Sequence, residues 1–471
     1  MADMMDQAVG LFGGSVSLIP GGVTVRDSSR LRSDAMDRLV TQAVFGEPAE
    51  REAARWLIWE LAQVTGARPA SINDLYMARG RGECGGFTVP AINVRMMAYD
   101  TARAVFRAAR QGKAAAIILE IARSEIAYTD QRPVEYVSVV LAAALREGYT
   151  QPVFIQGDHC QVNAKKYEAD PEGEVGEVKK LIAEEIGAGF YNIDVDTSTL
   201  VDLAQPTLEE QQRVNFERAA EITRFIRGLE PDGITVSVGA EIGEVGMKNS
   251  TVEELNAFMT GYNATLAASG GGEGISKISV QTGTSHGGVV LPDGKIAEVK
   301  LDIAALAALS RVARETYGLA GAVQHGASTL PSNAFGNFPR VEACEIHLAT
   351  NFQNMIFDHP RLPAELRQRM KAWLEENAQG ERKATDSDEQ FYYKTRKKAI
   401  GPFKRDVWSL PADVRAAIAA DLEKMFVFLF EQLNVNGTAD LVDRFIQAPM
   451  QHHAALKPVL VAAADDPDAG E

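Results

Sequence analysis

Cysteine is scarce in this chain of 471 residues, which contains only Cys84, Cys160 and Cys344. Three cysteines without CxxC spacing argue against both a disulfide framework and a structural zinc module. Long apolar runs are also missing, because no stretch reaches the roughly 18 residues that a membrane-spanning helix needs. The N-terminus lacks the basic start and apolar core of a secretory signal. These absences predict a cytoplasmic protein that does not span a membrane.

Positive charge is also in short supply. The chain has 48 Lys and Arg against 64 Asp and Glu, which gives a net charge of −16. Nucleic acid and anionic membranes are bound by basic surfaces, so neither is expected as the main partner. An acidic protein that binds an anionic small molecule must concentrate its few cations, or its backbone N–H groups, at one place.

Changes of pattern divide the chain into three predicted parts. Residues 1–85 are expected to form a helical N-terminal extension, residues 86–400 a single α/β domain, and residues 401–471 a C-terminal helical segment with an acidic tail. The middle part contains eight strand candidates, namely FTVPAINV (87–94), AAIILEIA (115–122), PVFIQGD (152–158), FYNIDVD (190–196), ITVSVGAE (234–241), SKISVQT (276–282), LAGAVQH (319–325) and CEIHLAT (344–350). Eight strands alternating with helices favour a closed (β/α)8 TIM barrel over an open, doubly wound sheet.

Three of the seven histidines stand at the ends of these apolar strands. They are His159, His286 and His325, and Asp158 precedes the first of them. In a (β/α)8 barrel the C-terminal ends of the strands form one rim, where residues distant in sequence meet. Three imidazoles can bind Zn²⁺ and leave one position for a substrate oxygen. Any one of these histidines alone would more simply be a hydrogen-bonded core or surface residue, but the three together predict a metal-dependent lyase.

Other candidate residues fall at the same predicted rim. Glu241 ends the fifth strand candidate, and His347 lies in the eighth. Gly287 follows the sixth strand, and Gly326 and Ser328 follow the seventh. Glycine lets the backbone approach a ligand and point N–H groups at an anion such as phosphate. The alternative is that these glycines only form tight turns between strand and helix.

Seven segments, taken in order, resemble the signature segments of the class II, metal-dependent fructose-bisphosphate and tagatose-bisphosphate aldolases. They are FTVPAINV, GDHC, FYNIDVDTS, GAEIGEVG, GTSHG with a later LDI, QHGAS and EIHLAT, and the resemblance spans about residues 87–400. It implies reversible aldol cleavage of a ketose (bis)phosphate, such as fructose 1,6-bisphosphate, to dihydroxyacetone phosphate and an aldehyde, as in glycolysis. It also implies Zn²⁺ or another divalent metal, leaves open a monovalent cation, and favours a homo-oligomer such as a dimer.

The resemblance assigns the chemistry residue by residue. His159, His286 and His325 would bind the catalytic zinc, with Glu241 as an alternative ligand or a residue beside the ligands. Asp158 would be the acid/base at the aldehyde-derived oxygen. The metal would stabilise the enediolate that cleavage leaves. The residue that protonates this enediolate is not assigned, and the candidates are His347, Glu241 and Glu244.

The resemblance also assigns substrate contacts. Gly287, Gly326, Ser328 and Thr350 would lie near the phosphate of dihydroxyacetone phosphate. In the longer members of the family an arginine reaches the second phosphate across a dimer interface, and Arg396 is similar to it. Asn93, near the end of the first strand candidate, either lines the mouth of the barrel or packs inside it.

Several family residues are replaced in this chain. His347 stands where members usually have asparagine, and Ala122 replaces a phosphate-contacting serine. Lys248 and Asn249 replace adjacent acidic residues of a mobile loop, and Leu291 occupies the region of a common lysine. Since the metal ligands are kept while substrate contacts change, we expect an enzyme with shifted specificity. The alternatives are a metal-dependent ketose C4 epimerase, which would use retro-aldol cleavage and re-addition, and a non-catalytic barrel subunit associated with an aldolase.

Overall fold

The N-terminal segment is mainly helical, as predicted, and in addition contains three short strands. The computed structural model describes residues 2–242, 248–283 and 301–453. The segment consists of α1 (Ala2–Gly10), β1 (Val16–Ile19), β2 (Gly22–Val25), α2 (Asp34–Phe45), α3 (Pro48–Thr65), β3 (Pro69–Ala70) and α4 (Asn73–Gly80). β1 and β2 form an antiparallel pair. Strands of two to four residues carry too little periodicity to stand out in the sequence.

Eight parallel strands close into a barrel, which confirms the predicted (β/α)8 fold. They are β4 (Val89–Asn93), β5 (Ile118–Ala122), β6 (Val153–Gln161), β7 (Asn192–Asp196), β8 (Ser237–Glu241), β9 (Lys277–Val280), β10 (Ala322–Gln324) and β11 (Glu345–Leu348). Each strand pairs with the next in chain order, and β11 pairs with β4 to close the ring. The short β3 adds to this sheet by pairing parallel with β6. Each of the eight predicted strands overlaps one of the observed strands.

Helices alternate with the strands and continue to the C-terminus. Those around the barrel are α5 (Ala98–Gly112), α6 (Arg123–Thr129), α7 (Pro133–Glu147), α8 (Ala164–Ala169), α9 (Pro171–Ala188), α10 (Leu208–Arg227), α11 (Val252–Ala268), α12 (Ile303–Tyr317), α13 (Asn337–Arg340) and α14 (Thr350–Phe357). Those that follow are α15 (Ala364–Asn377), α16 (Asp388–Thr395), α17 (Lys404–Trp408), α18 (Ala412–Gln432) and α19 (Ala439–Phe445). No helix within the described ranges is both long and apolar enough to cross a membrane.

A bulge interrupts β6 at the position of the predicted chemistry. The pairing register of β6 with β7 shifts between Gly157 and Cys160. His159 adopts a φ of 42°, a left-handed conformation that is costly for a residue with a side chain. Successive residues of a regular strand face opposite sides, but a bulge re-aims one of them. Asp158 and His159 therefore both face the rim from within β6, which extends to Gln161, whereas the predicted strand ends at Asp158.

The opposite end of the barrel is covered by the N-terminal segment. Tyr76 on α4 donates a short hydrogen bond to Oε2 of Glu345 in the barrel interior. Arg79 on the same helix is fully buried and pairs with Glu342, Nη2 to Oε2, at 2.7 Å. Ile72 N donates to the Asn192 side chain at 2.8 Å. The segment that precedes the barrel thus supplies part of its floor, although the predicted boundary at residue 85 stays a prediction.

Candidate metal centre and active site

Two of the predicted metal ligands meet at the C-terminal rim of the barrel. The buried rings of His159 and His325 lie 4.3 Å apart, centroid to centroid. Glu241, the last residue of β8, places Oε2 3.8 Å from Nε2 of His159. The structure thus brings three of the four predicted ligands together. The fourth, His286, lies outside the described residues.

Sequence reasoning missed one potential ligand, Asp196. This residue ends β7, and its carboxylate lies in one group with His159 and Glu241 whose ligand atoms are all within 4.8 Å of one another. Burial, together with the charge of Asp196, raises the pKa of Glu241 to about 8. Two carboxyl groups this close repel each other when both are ionised, and a cation between them would remove that repulsion.

The two imidazoles are held by neighbouring side chains. Nδ1 of His159 lies 2.7 Å from Oδ1 of Asp158, which leaves Nε2 facing Glu241. Nε2 of His325 lies 2.9 Å from Oγ of Ser279. Burial alone would lower the pKa of His159, but Asp158 and Glu241 outweigh it and raise the pKa to about 10. Because a ligating imidazole must be neutral, a metal at His159 would displace a proton.

These side chains have the donor chemistry of a divalent metal site. Imidazole nitrogen and carboxylate oxygen are the ligands that Zn²⁺ accepts. Of three groups of described residues whose ligand atoms lie within 4.8 Å of one another, one lies in the barrel beneath the rim and consists of Glu120, Asp194, Glu345 and His347. The two groups at the rim are Asp158, His159, His325 and His347, and His159, Asp196 and Glu241. Donors on one zinc ion lie up to about 4 Å apart, so small side-chain rotations would suffice. The residues therefore fit a metal, with His159 common to both groups.

Asp158 is surrounded by hydrogen-bond donors. Its Oδ1 lies 3.0 Å from Nδ1 of His347, in addition to the contact with His159. Its Oδ2 accepts from Nδ2 of Asn93 at 2.8 Å. Burial alone would raise the pKa of Asp158, but His159 and His347 hold it well below its usual range. Asp158 is therefore held as an ionised carboxylate, and Asn93 fixes its orientation.

A network of buried charges fills the barrel beneath these residues. Nζ of Lys277, on β9, lies 2.5 Å from Oε1 of Glu345 and 2.9 Å from Oδ1 of Asp194. It also donates to Oε1 of Gln156 at 2.7 Å. All four side chains are at least nine-tenths buried. Lysine is almost never fully buried unless it is paired, and here two carboxylates pair with it.

His347 connects this buried network to the rim. Nδ1 lies 3.2 Å from Oε1 of Glu120 and 3.0 Å from Asp158, while Nε2 lies 2.8 Å from Oε1 of Glu345. Burial alone would lower the pKa of His347, but Glu120 and Asp158 raise it well above the usual value. A charged imidazole therefore stands beside the candidate acid/base Asp158.

We expect Lys277→Met to lower the free energy of unfolding by about 3–5 kcal/mol, because it leaves Glu345 and Asp194 buried without their cation. Urea unfolding followed by circular dichroism measures this loss. Lys179→Met is a matched control, since Lys179 is only partly buried and pairs with Glu221 at 2.5 Å; about 0–1 kcal/mol is expected there. Equal losses in the two variants would show that the buried network contributes no special stability.

The predicted phosphate contacts lie on the loops after β10 and β11. Gly326 adopts a φ of 67° directly after His325. Oγ of Ser328 accepts from the backbone N–H of Ala349 at 2.5 Å and so joins the two loops. Thr350 is the first residue of α14. These residues lie on the loops that commonly bind phosphate in this fold, whereas Gly287 lies outside the described residues.

Arg396 is placed in a cluster of its own. Its Nη1 donates to Oδ1 of Asp358 at 2.8 Å, and Nη2 donates to Oδ1 of Asn354 at 2.5 Å. The guanidinium also lies over the rings of Tyr393 and Phe357, at 4.7 and 5.3 Å from their centroids. These contacts hold Arg396 beside α14 within its own chain. A role for it at the phosphate stays a prediction.

The replaced family positions have clear local contacts. Ala122 offers no hydroxyl, and its backbone N–H donates to Oε2 of Glu125 at 3.1 Å. Nδ2 of Asn249 donates to Oδ2 of Asp302 at 3.1 Å, while Lys248 is exposed. Glu244 and Leu291 lie outside the described residues.

Several polar residues of the site could have been found from strand parity. Asn192, Asp194 and Asp196 alternate with Ile193 and Val195 along β7. Alternate residues of a barrel strand face its interior, so this pattern predicts acidic side chains inside the barrel. By the same alternation, Glu345 and His347 face one side of β11, and Lys277 and Ser279 face one side of β9. Apolar runs mark the position of a strand, whereas this alternation marks the polar residues that face the interior.

The fold and these side chains define a (β/α)8-barrel protein with a buried histidine–carboxylate centre at the C-terminal ends of its strands. A family model described as "Fructose-bisphosphate aldolase class-II" matches residues 80–405. The chain belongs to this family, which confirms the resemblance seen in the sequence. The class II aldolases are a family of metal-dependent lyases. No curated protein matches the chain significantly.

Solved structures share the fold at low sequence identity. The fructuronate-tagaturonate epimerase UxaE from Cohnella laeviribosi is 14% identical, with 84% of this chain and 90% of that chain covered at a TM-score of 0.52. A probable tagatose 6 phosphate kinase from Sinorhizobium meliloti is 16% identical, with 76% and 93% covered at a TM-score of 0.51. The YdjI aldolase from Escherichia coli K12 is 15% identical, with 79% and 99% covered at a TM-score of 0.46. The first two similarities support the barrel fold, and they carry no information on the substrate.

Proposed function

We propose that this protein is a zinc-dependent aldolase that reversibly cleaves the C3–C4 bond of a ketose phosphate. The observation that carries the proposal is the position of Asp158. Its carboxylate lies 2.7 Å from a candidate ligand, His159, and 3.0 Å from His347. A proton acceptor directly beside a metal centre is what cleavage of a β-hydroxy ketone requires.

The residues of the chain divide the work of the reaction between them. His159, His325 and Glu241 would hold the metal, together with His286 as the sequence predicts. When bound, the metal would polarise the ketone and stabilise the negative charge that bond cleavage leaves. Asp158 removes the proton of the C4 hydroxyl during cleavage and returns it during condensation.

Two further residues prepare Asp158 for this transfer. Asn93 donates to Oδ2 at 2.8 Å and keeps the carboxylate in one orientation. His347 keeps it ionised, because a positive imidazole at 3.0 Å favours the charged carboxylate. His347 is also the described residue best placed to return a proton to the carbanion, since it carries one and lies beside His325, with ring centroids 4.1 Å apart.

The test is metal-dependent release of triose phosphate. Purified protein with fructose 1,6-bisphosphate or tagatose 1,6-bisphosphate is coupled to NADH oxidation, before and after chelation and after zinc is restored. We expect turnover that chelation removes and zinc restores. Zinc-loaded protein that releases no triose phosphate from either sugar would contradict an aldolase acting on these substrates.

A ketose C4 epimerase is the second candidate, and one observation favours it. At the end of β5 no hydroxyl is available, and the N–H of Ala122 already donates to Glu125 at 3.1 Å. A substrate with fewer phosphate groups would not need the phosphate contact that the serine hydroxyl makes at this position in other members of the family. Incubation with a ketohexose, followed by chromatography of the products, distinguishes the two: an epimerase forms the C4 epimer without net release of the cleaved fragments.

A further inference from the structure

The bulge of β6 is contacted from the helical side of the sheet by one buried carboxyl group, that of Glu185. This residue lies in the last turn of α9 and is fully buried. Its Oε2 accepts a hydrogen bond from Sγ of Cys160 at 3.3 Å. A Cβ atom on Gly157 would lie 2.5 Å from the same oxygen, so the carboxyl group packs directly against the backbone of the strand. Glu185 therefore contacts both residues between which the pairing register of β6 shifts.

The contact with Cys160 decides which way His159 faces. The two are successive residues, and successive residues of a strand face opposite sides. Because Cys160 faces α9, His159 faces the barrel interior, where its ring lies 4.3 Å from that of His325, centroid to centroid. The φ of 42° at His159 is costly and persists only where the surrounding structure holds it. The hydrogen bond between Cys160 and Glu185 supplies such a constraint from outside the barrel.

A carboxyl group at this position is unfavourable for stability. Oε1 of Glu185 is a buried oxygen without a hydrogen-bond partner among the residues that the structure describes. The C-terminal end of a helix also disfavours negative charge. Burial raises the pKa of Glu185 to about 8, so most of the group is a neutral acid at pH 7. A buried polar group kept at such a cost needs an explanation other than stability, and the adjoining strained site provides one.

We propose that Glu185 is a positioning residue that holds the bulge of β6 through Cys160 and Gly157. By doing so it keeps His159 and Asp158 at the candidate metal centre. The inference rests on the proposed function and names a residue outside the barrel on which that function depends. The hydrogen bond from Cys160 needs only an acceptor oxygen, so an amide can replace the carboxyl group, whereas an apolar side chain cannot.

The test compares two substitutions of Glu185 in the full-length protein. Glu185→Gln keeps an acceptor oxygen, and Glu185→Met keeps the length of the side chain but removes both oxygens. Glu184→Gln is the matched control, because Glu184 is the preceding residue and accepts instead from Nε of Arg132 at 3.1 Å. Zinc affinity is measured by competition with a chelator, stability by thermal unfolding, and kcat by the coupled NADH assay at saturating zinc.

We expect Glu185→Met to weaken zinc binding by about tenfold to a hundredfold, the usual loss when a group that orients a metal ligand is removed. Its kcat should also fall at saturating zinc, because Asp158 lies in the same bulge. Its melting temperature should not fall, since an apolar side chain is buried without the cost of desolvating a carboxyl group. The thiol of Cys160 can then donate to Gly157 O, which lies 3.8 Å away.

Glu185→Gln should restore the zinc affinity and kcat that Glu185→Met loses, and Glu184→Gln should behave as wild type. A merely structural role of Glu185 predicts a different result, in which the melting temperature falls together with zinc affinity. That result would overturn the proposal, because the loss of zinc would then follow from general destabilisation.

The same contact is tested from its other end by Cys160→Ser and Cys160→Ala. Serine keeps a donor for Glu185 and alanine does not, so zinc affinity should fall further in the alanine variant. Equal zinc affinities of these two variants would overturn the proposal, and this comparison also decides the matter if Glu185→Met does not fold.

The outcomes separate the positioning role from the proposed function. If Glu185→Met binds zinc as tightly as wild type and keeps its kcat, the positioning role is overturned even though aldol cleavage is observed. If zinc affinity depends on Glu185 but no sugar is cleaved, the positioning role stands and the proposed function fails.

Discussion

His325→Ala is expected to lower the rate of aldol cleavage by about a thousandfold and to reduce the amount of bound zinc. The substitution removes one donor of the candidate centre, 4.3 Å from the ring of His159. Polarisation by a metal contributes several kcal/mol to catalysis, and about 1.4 kcal/mol corresponds to a factor of ten. Zinc is measured by mass spectrometry after dialysis, and cleavage by the coupled NADH assay.

A histidine away from the rim provides the control for this substitution. His452 is exposed and pairs with Glu60, Nδ1 to Oε2, at 2.6 Å. His452→Gln removes an imidazole with no contact to the candidate ligands, and both zinc content and rate should be unchanged. A His325→Ala protein that keeps full zinc and full activity would exclude His325 as a ligand.

The second large effect is expected for Asp158→Asn. General acid–base catalysis contributes about a hundredfold to ten-thousandfold to a rate, and kcat should fall within that range. The amide keeps the shape of the carboxylate but cannot accept the C4 hydroxyl proton. Because Asp158 also orients His159 at 2.7 Å, metal affinity can fall by about tenfold to a hundredfold, so kcat is measured at saturating zinc.

An exposed carboxylate serves as the comparison for Asp158. Asp202 accepts from Gln205 and from the backbone of Ala204, on the surface of the protein. Asp202→Asn should leave kcat and zinc content at the values of the unmodified protein. If Asp158→Asn retained more than a tenth of kcat with zinc bound, another residue would have to be the proton acceptor.

The barrel was predictable from sequence because its strands are short apolar runs between amphipathic helices. FTVPAINV contains β4 and CEIHLAT contains β11, and their pairing closes the ring. The bulge in β6 was not predictable, since a left-handed φ at His159 has no signature in a histidine. It depends on the pairing of β6 with β7, which is a property of the assembled sheet.

The candidate site was predictable in its histidines and less so in its carboxylates. A histidine at a strand end stands out because the chain has only seven. The chain has 64 acidic residues, and Asp196 and Glu345 differ from the others only in that their side chains face the barrel interior. To predict this orientation, one must know which alternate residues of each strand face inward. Tyr128 and Gly401 are far apart in the sequence and meet only because the C-terminal segment packs on α6, where Gly401 N donates to Tyr128 O at 2.9 Å.

The contact between Tyr76 and Glu345 has a consequence for how the molecule folds. Glu345 lies within hydrogen-bond distance of His347, and His347 within hydrogen-bond distance of Asp158. Four successive side chains, Tyr76, Glu345, His347 and Asp158, therefore connect α4, a helix that precedes the barrel in the sequence, to the reacting groups. Compensation of the buried charges therefore requires that α4 packs on the barrel, so folding of the N-terminal segment is coupled to completion of the candidate site.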